Sequence, residues 1–403
     1  MDNHTHRPPE SNLSQAQQAF RFVLLLGIVS LFADITYEGA RSITGPFLGS
    51  LGASAAIVGF VAGLGEMLGY GLRSVSGYFT DKTRNYWTAA FLGYAINLFA
   101  VPALALSGNW PTAAALMIFE RTGRAIRKPA MDSMLSRAGK AIGHGWVFGL
   151  HEALDQTGAT LGPLVVALVL YLRGGYRHAF AMLLIPALLC LGTLIVARFL
   201  FPRPQDLEVE FAQHADTKPL SRAYWFYLIA GALIAAGFAD FSLIAFHFQK
   251  SGTVSQALIP VYYAAAMCAS AIASLALGKL LDRHGLPVLL VSIVVSAFAA
   301  PLVFFETASP QLLGMIFWGI GLAAQESCLK AVLSAVIPPD KRGTAFGVFD
   351  TGFGVAWFAG SATMGLLYEK SILGLIVFSV SLQLAALPVL VLATNQVSRR
   401  SRS

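Results

Sequence analysis

The chain has 403 residues, of which 56% are hydrophobic and 12% charged, with a formal net charge of +7 and a mean hydropathy of +0.65. This composition excludes an ordinary water-soluble fold, and the basic surplus reads as loop charge facing lipid headgroups, not as a nucleic-acid surface. Cys190, Cys268 and Cys328 stand singly in apolar runs, which argues against disulfides and thiolate metal sites.

Apolar runs measured against the ~20 residues needed to cross a ~30 Å hydrocarbon core predict twelve helical spans. A polar cytoplasmic tail, residues 1–19, precedes the first, 20–48. That run carries Asp34, Glu38 and Arg41 and lacks a small-residue cleavage site, so it reads as a retained helix and not a signal peptide. The three charges fall at i, i+4 and i+7 along one face. An ionisable group in the bilayer core costs roughly 2.5–3.5 kcal/mol, so this face turns away from lipid. Asp34 is expected past the middle of the span, paired with Arg41 in a contact that a proton or a cationic substrate exchanges.

Spans 55–79, bearing Glu66, and 86–106 follow. Span 111–135 carries Glu120, Arg121, Arg124, Arg127 and Lys128, with Asp132 beyond. Arg127 and Lys128 read as snorkelling to the interface. Arg121 and Arg124 lie deeper, with Glu120, Glu66, Glu152 and Asp155 as candidate partners. Permanently neutralised, these arginines lock the bundle; released, one becomes a fork for a carboxylate or phosphate. Span 145–172 holds Glu152, Asp155 and Gly158-x-x-x-Gly162-Pro163, which permits close helix approach and a bend. Span 177–201 completes a first unit, residues 20–201.

The polar stretch 202–221, with Asp206, Glu208, Glu210 and Asp216, reads as a cytoplasmic linker. The second unit, 222–394, contains spans 222–249, 254–280, 286–305, 310–337, 343–368 and 371–394, before a cytoplasmic tail at 395–403. Asp240 and His247 are seven residues apart on one face of the seventh span, an arrangement suited to proton relay. A divalent-metal site built from Asp34, Asp240 and His247 has no supporting ligand spacing. Glu326 and Lys330 are spaced for an internal pair, and Asp350 lies in the eleventh span. Tyr37, Tyr70, Trp318, Phe353 and Trp357 are candidate cavity aromatics.

One set of loops and the C-terminal tail hold Lys82, Arg84, Arg137, Lys140, Arg203, Lys218, Arg283, Lys341, Arg342, Arg399, Arg400 and Arg402; the opposite set holds only Arg173, Arg177, Lys250 and Lys370. Both termini are therefore expected in the cytoplasm. Three phrases also repeat. Phe32-Ala33-Asp34 returns as Phe238-Ala239-Asp240, and Phe148-Gly149 with Glu152 returns as Phe346-Gly347 with Asp350. Gly77 with Asp81 returns as Gly278 with Asp282. Buried acids placed twice at matching points indicate a duplicated membrane machine that handles charge.

Gly278-Lys279-Leu280-Leu281-Asp282-Arg283-His284-Gly285 matches the loop signature of the major facilitator superfamily of secondary transporters, and Gly77 to Arg84 matches it except that Arg84 replaces the last glycine. Arg121 resembles that superfamily's helix 4 arginine. Gly158, Gly162 and Pro163 resemble the helix 5 signature of its drug/proton antiporters, although Val166-Ala167 replaces the usual glycine pair. The resemblance covers nearly the whole chain. It implies an all-α polytopic membrane protein of twelve transmembrane helices in two six-helix bundles, in the bacterial inner membrane and working as a monomer. It also implies cytoplasmic gates at Gly77, Asp81, Arg84, Gly278, Asp282 and Arg283.

No phosphate-cradling loop and no nucleophile–base constellation is present, so ATP-driven transport and catalysis are not expected, and no cofactor or metal is. The expected activity is proton-coupled alternating access exporting a small amphipathic or organic-ion compound, with Asp34, Glu38, Arg41, Glu66, Arg121, Arg124, Glu152, Asp155, Asp240, His247, Glu326 and Asp350 as candidate substrate- and proton-binding residues. Uptake of a small anionic nutrient through Arg121 or Arg124 is an alternative. A receptor or scaffold that keeps the fold and moves nothing is another.

Overall fold

The computed structural model describes residues 11–142, 144–172, 174–202, 220–304, 308–337 and 342–400. No strand occurs among them. The first six spans are α1 (Ser11–Ser50), α2 (Ala55–Thr83), α3 (Tyr86–Ala103), α4 (Trp110–Ile142), α5 (His144–Tyr171) and the pair α6 (Tyr176–Met182) with α7 (Leu184–Leu200). The last six are α8 (Arg222–Gly237) with α9 (Phe241–Ser251), α10 (Leu258–His284), α11 (Leu286–Ala297) with α12 (Ala299–Val303), α13 (Ala308–Ala323) with α14 (Lys330–Val336), α15 (Arg342–Lys370) and α16 (Ile372–Arg400). Most of the central linker, residues 203–219, lies outside the described residues.

Ten spans are long and apolar enough to cross a membrane by themselves. The other two are α4, loaded with charge, and α15, rich in glycine. Both are screened in part by neighbours, α4 by α2 and α3, and α15 by α2 and α8. Between the two sets of spans, α2 runs along α15, α5 packs on α10, and α1 packs on α9. The first two contacts are equivalent under the six-span repeat, as the duplicated phrases require.

Of the interrupted spans, two bear on the charged residues. The seventh was expected to be continuous, but α8 stops at Gly237 and α9 starts at Phe241, leaving Asp240 extended as the N-cap of α9 with its carboxylate accepting from the Ser242 N–H at 2.8 Å. Capping an orphan N–H is ordinary work for an aspartate, and a break at mid-membrane depth is tolerated where protein, not lipid, surrounds it. The tenth span contains a π-helical turn, Ala324–Leu329, joining α13 to α14. Such turns frequently occur at functional sites.

Gly158 and Gly162 give α5 its close approach to α1. A Cβ at Gly158 would lie 2.5 Å from the Leu31 carbonyl oxygen, and one at Gly162 would lie 2.5 Å from that of Ile35. The helix 5 signature is therefore a packing seam in this chain.

Lys82, Arg84, Arg198 and Arg283 mark one end of the bundle, the basic end, where α2, α7 and α10 finish. Arg84 caps α2 in the left-handed region with φ 53°, and Gly285, its repeat counterpart, has φ +67°. This explains why glycine is usual there, since an L-residue in that region costs roughly 1–2 kcal/mol. Arg84→Gly is expected to raise stability in detergent by about 1 kcal/mol, read as a higher midpoint of thermal unfolding.

Candidate functional site

Near the middle of the membrane, α1, α2 and α4 bring their charges together. Arg41 is the hub: its Nη2 donates to Glu66 at 2.9 Å and lies 3.8 Å from Asp240, while its Nη1 is 3.9 Å from Glu38. Glu66 also faces Arg121 at 3.3 Å, and Arg121 reaches Glu120 at 3.3 Å. Glu38 is 4.0 Å from Arg124 and accepts from the Tyr263 hydroxyl of α10. Asn97 of α3 holds Glu120 with a 2.7 Å hydrogen bond, and Arg124 stacks on the Tyr37 ring at 4.4 Å.

A second cluster lies against the first on the side nearer the basic end. Asp34 is 3.9 Å from Arg127, which donates to the Tyr94 hydroxyl at 3.0 Å. Ser30 of α1, one turn before Asp34, donates to Asp155 of α5. Both clusters are almost wholly enclosed, and among the described residues Asp240, Tyr263 and Ser242 reach the first from the last six spans. Ser242 meets Thr44 at 3.2 Å.

Three sequence expectations are corrected. Asp34 pairs with Arg127 instead of Arg41, because Arg41 sits two turns further along α1 and is taken by Glu66 and Asp240. Arg127 does not snorkel: α4 continues to Ile142, so Arg127 lies well inside the helix and is only 4% exposed. Lys128 does reach the boundary, facing Asp132 at 3.5 Å. His247 does not act with Asp240; it lies near the end of α9 opposite the basic end, with its Nδ1 3.0 Å from the Tyr368 hydroxyl.

Other candidates are dispersed. Glu152 is exposed and accepts from Gln156 at 2.9 Å, so neither it nor Asp155 pairs with Arg121 or Arg124. Glu326, Lys330 and Asp350 line a void of about 10 Å³ beside Tyr70, Phe353 and Trp357, and Glu326 and Lys330 do not form the expected pair with each other. Trp318 is packed, its indole N–H donating to the Ala239 carbonyl at 2.8 Å. Asp282 and Arg283 are exposed with no ion pair to another described residue, and the Asp81 side chain lies outside the described residues.

A void of about 40 Å³ sits at the first cluster, lined by Tyr37, Arg41, Thr44, Glu120, Arg121 and Ser242. It holds little more than a water, whose share of liquid volume is about 30 Å³. A drug-sized ligand needs roughly 300–1,000 Å³. At the basic end an open cavity of about 1030 Å³ separates α2 and α4 from α14 and α15, with Arg73, Lys128, Asp132, Lys330 and Asp350 on its walls. The opposite end is closely packed: the Ala56 N–H of α2 donates to Glu369 of α15 at 3.0 Å, and the Gly45 and Gly49 turns of α1 touch α9. The bundle is thus open at the basic end and shut at the other.

Sequence reasoning missed Tyr263, Tyr94, Asn97 and Ser30. Asn97 had a usable signal, a lone amide inside an apolar run. The tyrosines had none, because aromatic residues are common in spans for packing alone.

Comparison with known proteins agrees with this architecture. A protein of Mycobacterium tuberculosis described as uncharacterized is 40% identical over 378 residues, 92% of each chain. An uncharacterized MFS-type transporter of Methanocaldococcus jannaschii is 26% identical over 371 residues, covering 90% of this chain and 92% of its own. Among solved structures, a variant of the nucleoside transporter NupG superposes with a TM-score of 0.75 at 15% identity, covering 91% of this chain and 99% of that one. A peptide transporter, POT, in complex with sulfate superposes at 0.72 with 14% identity, covering 94% and 95%. The sequence pattern described as Major Facilitator Superfamily matches residues 22–361. With that match spanning most of a twelve-span chain whose acids and arginines converge at mid-membrane, the protein belongs to the Major Facilitator Superfamily and is a secondary transporter, not an enzyme.

Proposed function

We propose that this transporter is proton-coupled and exports a small organic cation or amphipathic compound by alternating access, as a monomer in the bacterial inner membrane with its basic end and both termini in the cytoplasm. The observation that carries the reading is charge parity. The first cluster sets four carboxyls, Glu38, Glu66, Glu120 and Asp240, against three guanidiniums, Arg41, Arg121 and Arg124. Among the described residues the second sets Asp34 and Asp155 against one guanidinium, Arg127. Each cluster carries one acid too many.

Within a low-dielectric bundle such an excess is neutralised by a proton or by a bound cation. The second cluster is thus the proton seat, and the first, beside the central void, is the cation seat. Uptake of an anion fits less well, since each of these arginines already faces a carboxylate. Export is supported by the partial helix 5 signature and by the cavity at the basic end, where a cytoplasmic substrate enters.

Reconstituted protein tests this with a lipophilic cation such as tetraphenylphosphonium under an imposed pH gradient. Asp34→Asn is expected to abolish gradient-driven accumulation while leaving passive exchange of the cation. Wild-type pH dependence in Asp34→Asn sinks the proton role.

A further inference from the structure

Arg84, the residue that departs from the loop signature, has no part in the transport site. It lies on the rim of a second open cavity, about 630 Å³, between α3 and α7 on the outer wall of the bundle. Arg198 stands on the same rim, 5.9 Å from the Trp87 ring, with one guanidinium nitrogen donating to the Pro202 carbonyl at 2.6 Å. A guanidinium carries five donors, so this bond leaves most of the Arg198 fork available. Among the described residues no carboxylate lines the cavity. Below the rim the wall changes character along α3: Trp87 comes first, then Phe91 and Leu92, with Leu191 of α7 opposite. Trp87 is buried in this wall, and its indole N–H donates to the Phe201 carbonyl at 3.2 Å.

This order of basic rim, interfacial aromatic and apolar wall copies the order of parts in a phospholipid, from phosphate through glycerol to acyl chain. Tryptophan belongs at the headgroup level, and basic pockets between spans suit anionic headgroups. Two guanidiniums form a planar, multidentate anion receptor that a lysine pair would not. The left-handed turn at Arg84 acquires a reason on this reading, because glycine would relieve the backbone but remove half of the cationic rim. We infer that the groove between α3 and α7 is a binding site for one anionic phospholipid, with its phosphate between Arg84 and Arg198 and an acyl chain along Phe91, Leu92 and Leu191.

Purified full-length protein in detergent, titrated with palmitoyl-oleoyl phosphatidylglycerol or the matching phosphatidylcholine, tests the site by native mass spectrometry. Wild type is expected to bind the anionic lipid about tenfold more tightly, given roughly 1 kcal/mol for each basic contact at the surface. Arg84→Gly/Arg198→Gln should bind both lipids alike, and inorganic phosphate should not compete at equal concentration. If the double variant does not purify, Arg198→Gln alone should lose most of the preference. Equal binding of the two lipids by wild type overturns the inference, as does a preference that survives in the variants. A preference that emerges only when Asp206, Glu208 and Glu210 are neutralised also overturns it, since the acidic linker would then be what the rim holds.

Discussion

Arg41→Leu is expected to destabilise the protein by about 3–5 kcal/mol, the usual cost of removing one partner from a buried ion pair, and to abolish transport. Arg41 touches acids from three helices, and these neighbours are not equally protected. Glu66 keeps Arg121 at 3.3 Å, and Glu38 keeps Arg124 and the Tyr263 hydroxyl. Among the described residues Asp240 keeps the Ser242 N–H alone. The stranded charge is therefore Asp240, and a second change, Asp240→Asn, should recover a good part of the lost stability. Thermal unfolding of the two single variants and the double variant measures that coupling. Arg41→Lys should fall between, since a single ammonium cannot hold Glu66, Glu38 and Asp240 from one position. A loss under 1 kcal/mol in Arg41→Leu would show that Arg41 is not the hub.

Gly45→Ala should shift the protein away from the state described. A methyl group at Gly45 would lie 1.8 Å from the Ser242 carbonyl oxygen and 2.7 Å from its carbon. Both are backbone atoms in the first turn of α9 and have no rotamer to escape into, so α1 and α9 must part by more than an ångström. Parting them also strains the 3.8 Å Arg41–Asp240 contact and the 3.2 Å Thr44–Ser242 contact. Overpacking of this kind costs about 1–3 kcal/mol, enough for a fivefold to 150-fold change in a two-state population. Spin labels at Ser50 and Lys250, with the native cysteines replaced, should report a longer distance in Gly45→Ala. Gly71→Ala is the control: nothing lies within 4 Å of its added methyl, so the distribution should stay that of the parent. Unchanged distances in Gly45→Ala would mean that the seam between α1 and α9 does not hold this end shut.

The twelve spans were legible because apolar length is a one-dimensional property that lipid imposes directly. The acids of the core were legible for the same reason, each being too costly in lipid to be incidental. Pairing was not. The partner of Asp34 depended on how far α4 extends, and the span read as 111–135 in fact continues to Ile142. The break before Asp240 was hidden because Phe238-Ala239-Asp240 repeats a phrase that is helical in α1. The same three residues cap a helix in one place and continue one in the other, because Asp34 faces Arg127 while Asp240 serves the Ser242 N–H. Contacts across α10, such as Tyr263 on Glu38, are tertiary facts that no periodicity encodes.

The composition of α4 has a consequence for how the chain enters the bilayer. Arg121, Arg124 and Arg127 lie in its interior, and at roughly 2.5–3.5 kcal/mol each a translocon would reject them. Their neutralising partners, Asp34, Glu38 and Glu66, stand on α1 and α2, which leave the ribosome first. Biogenesis is thereby ordered: α1 and α2 must wait at the insertion site, unpaired and retained, until α4 arrives to join them. A nascent chain in which those early acids are neutralised would strand α4 outside the lipid and invert every span that follows it.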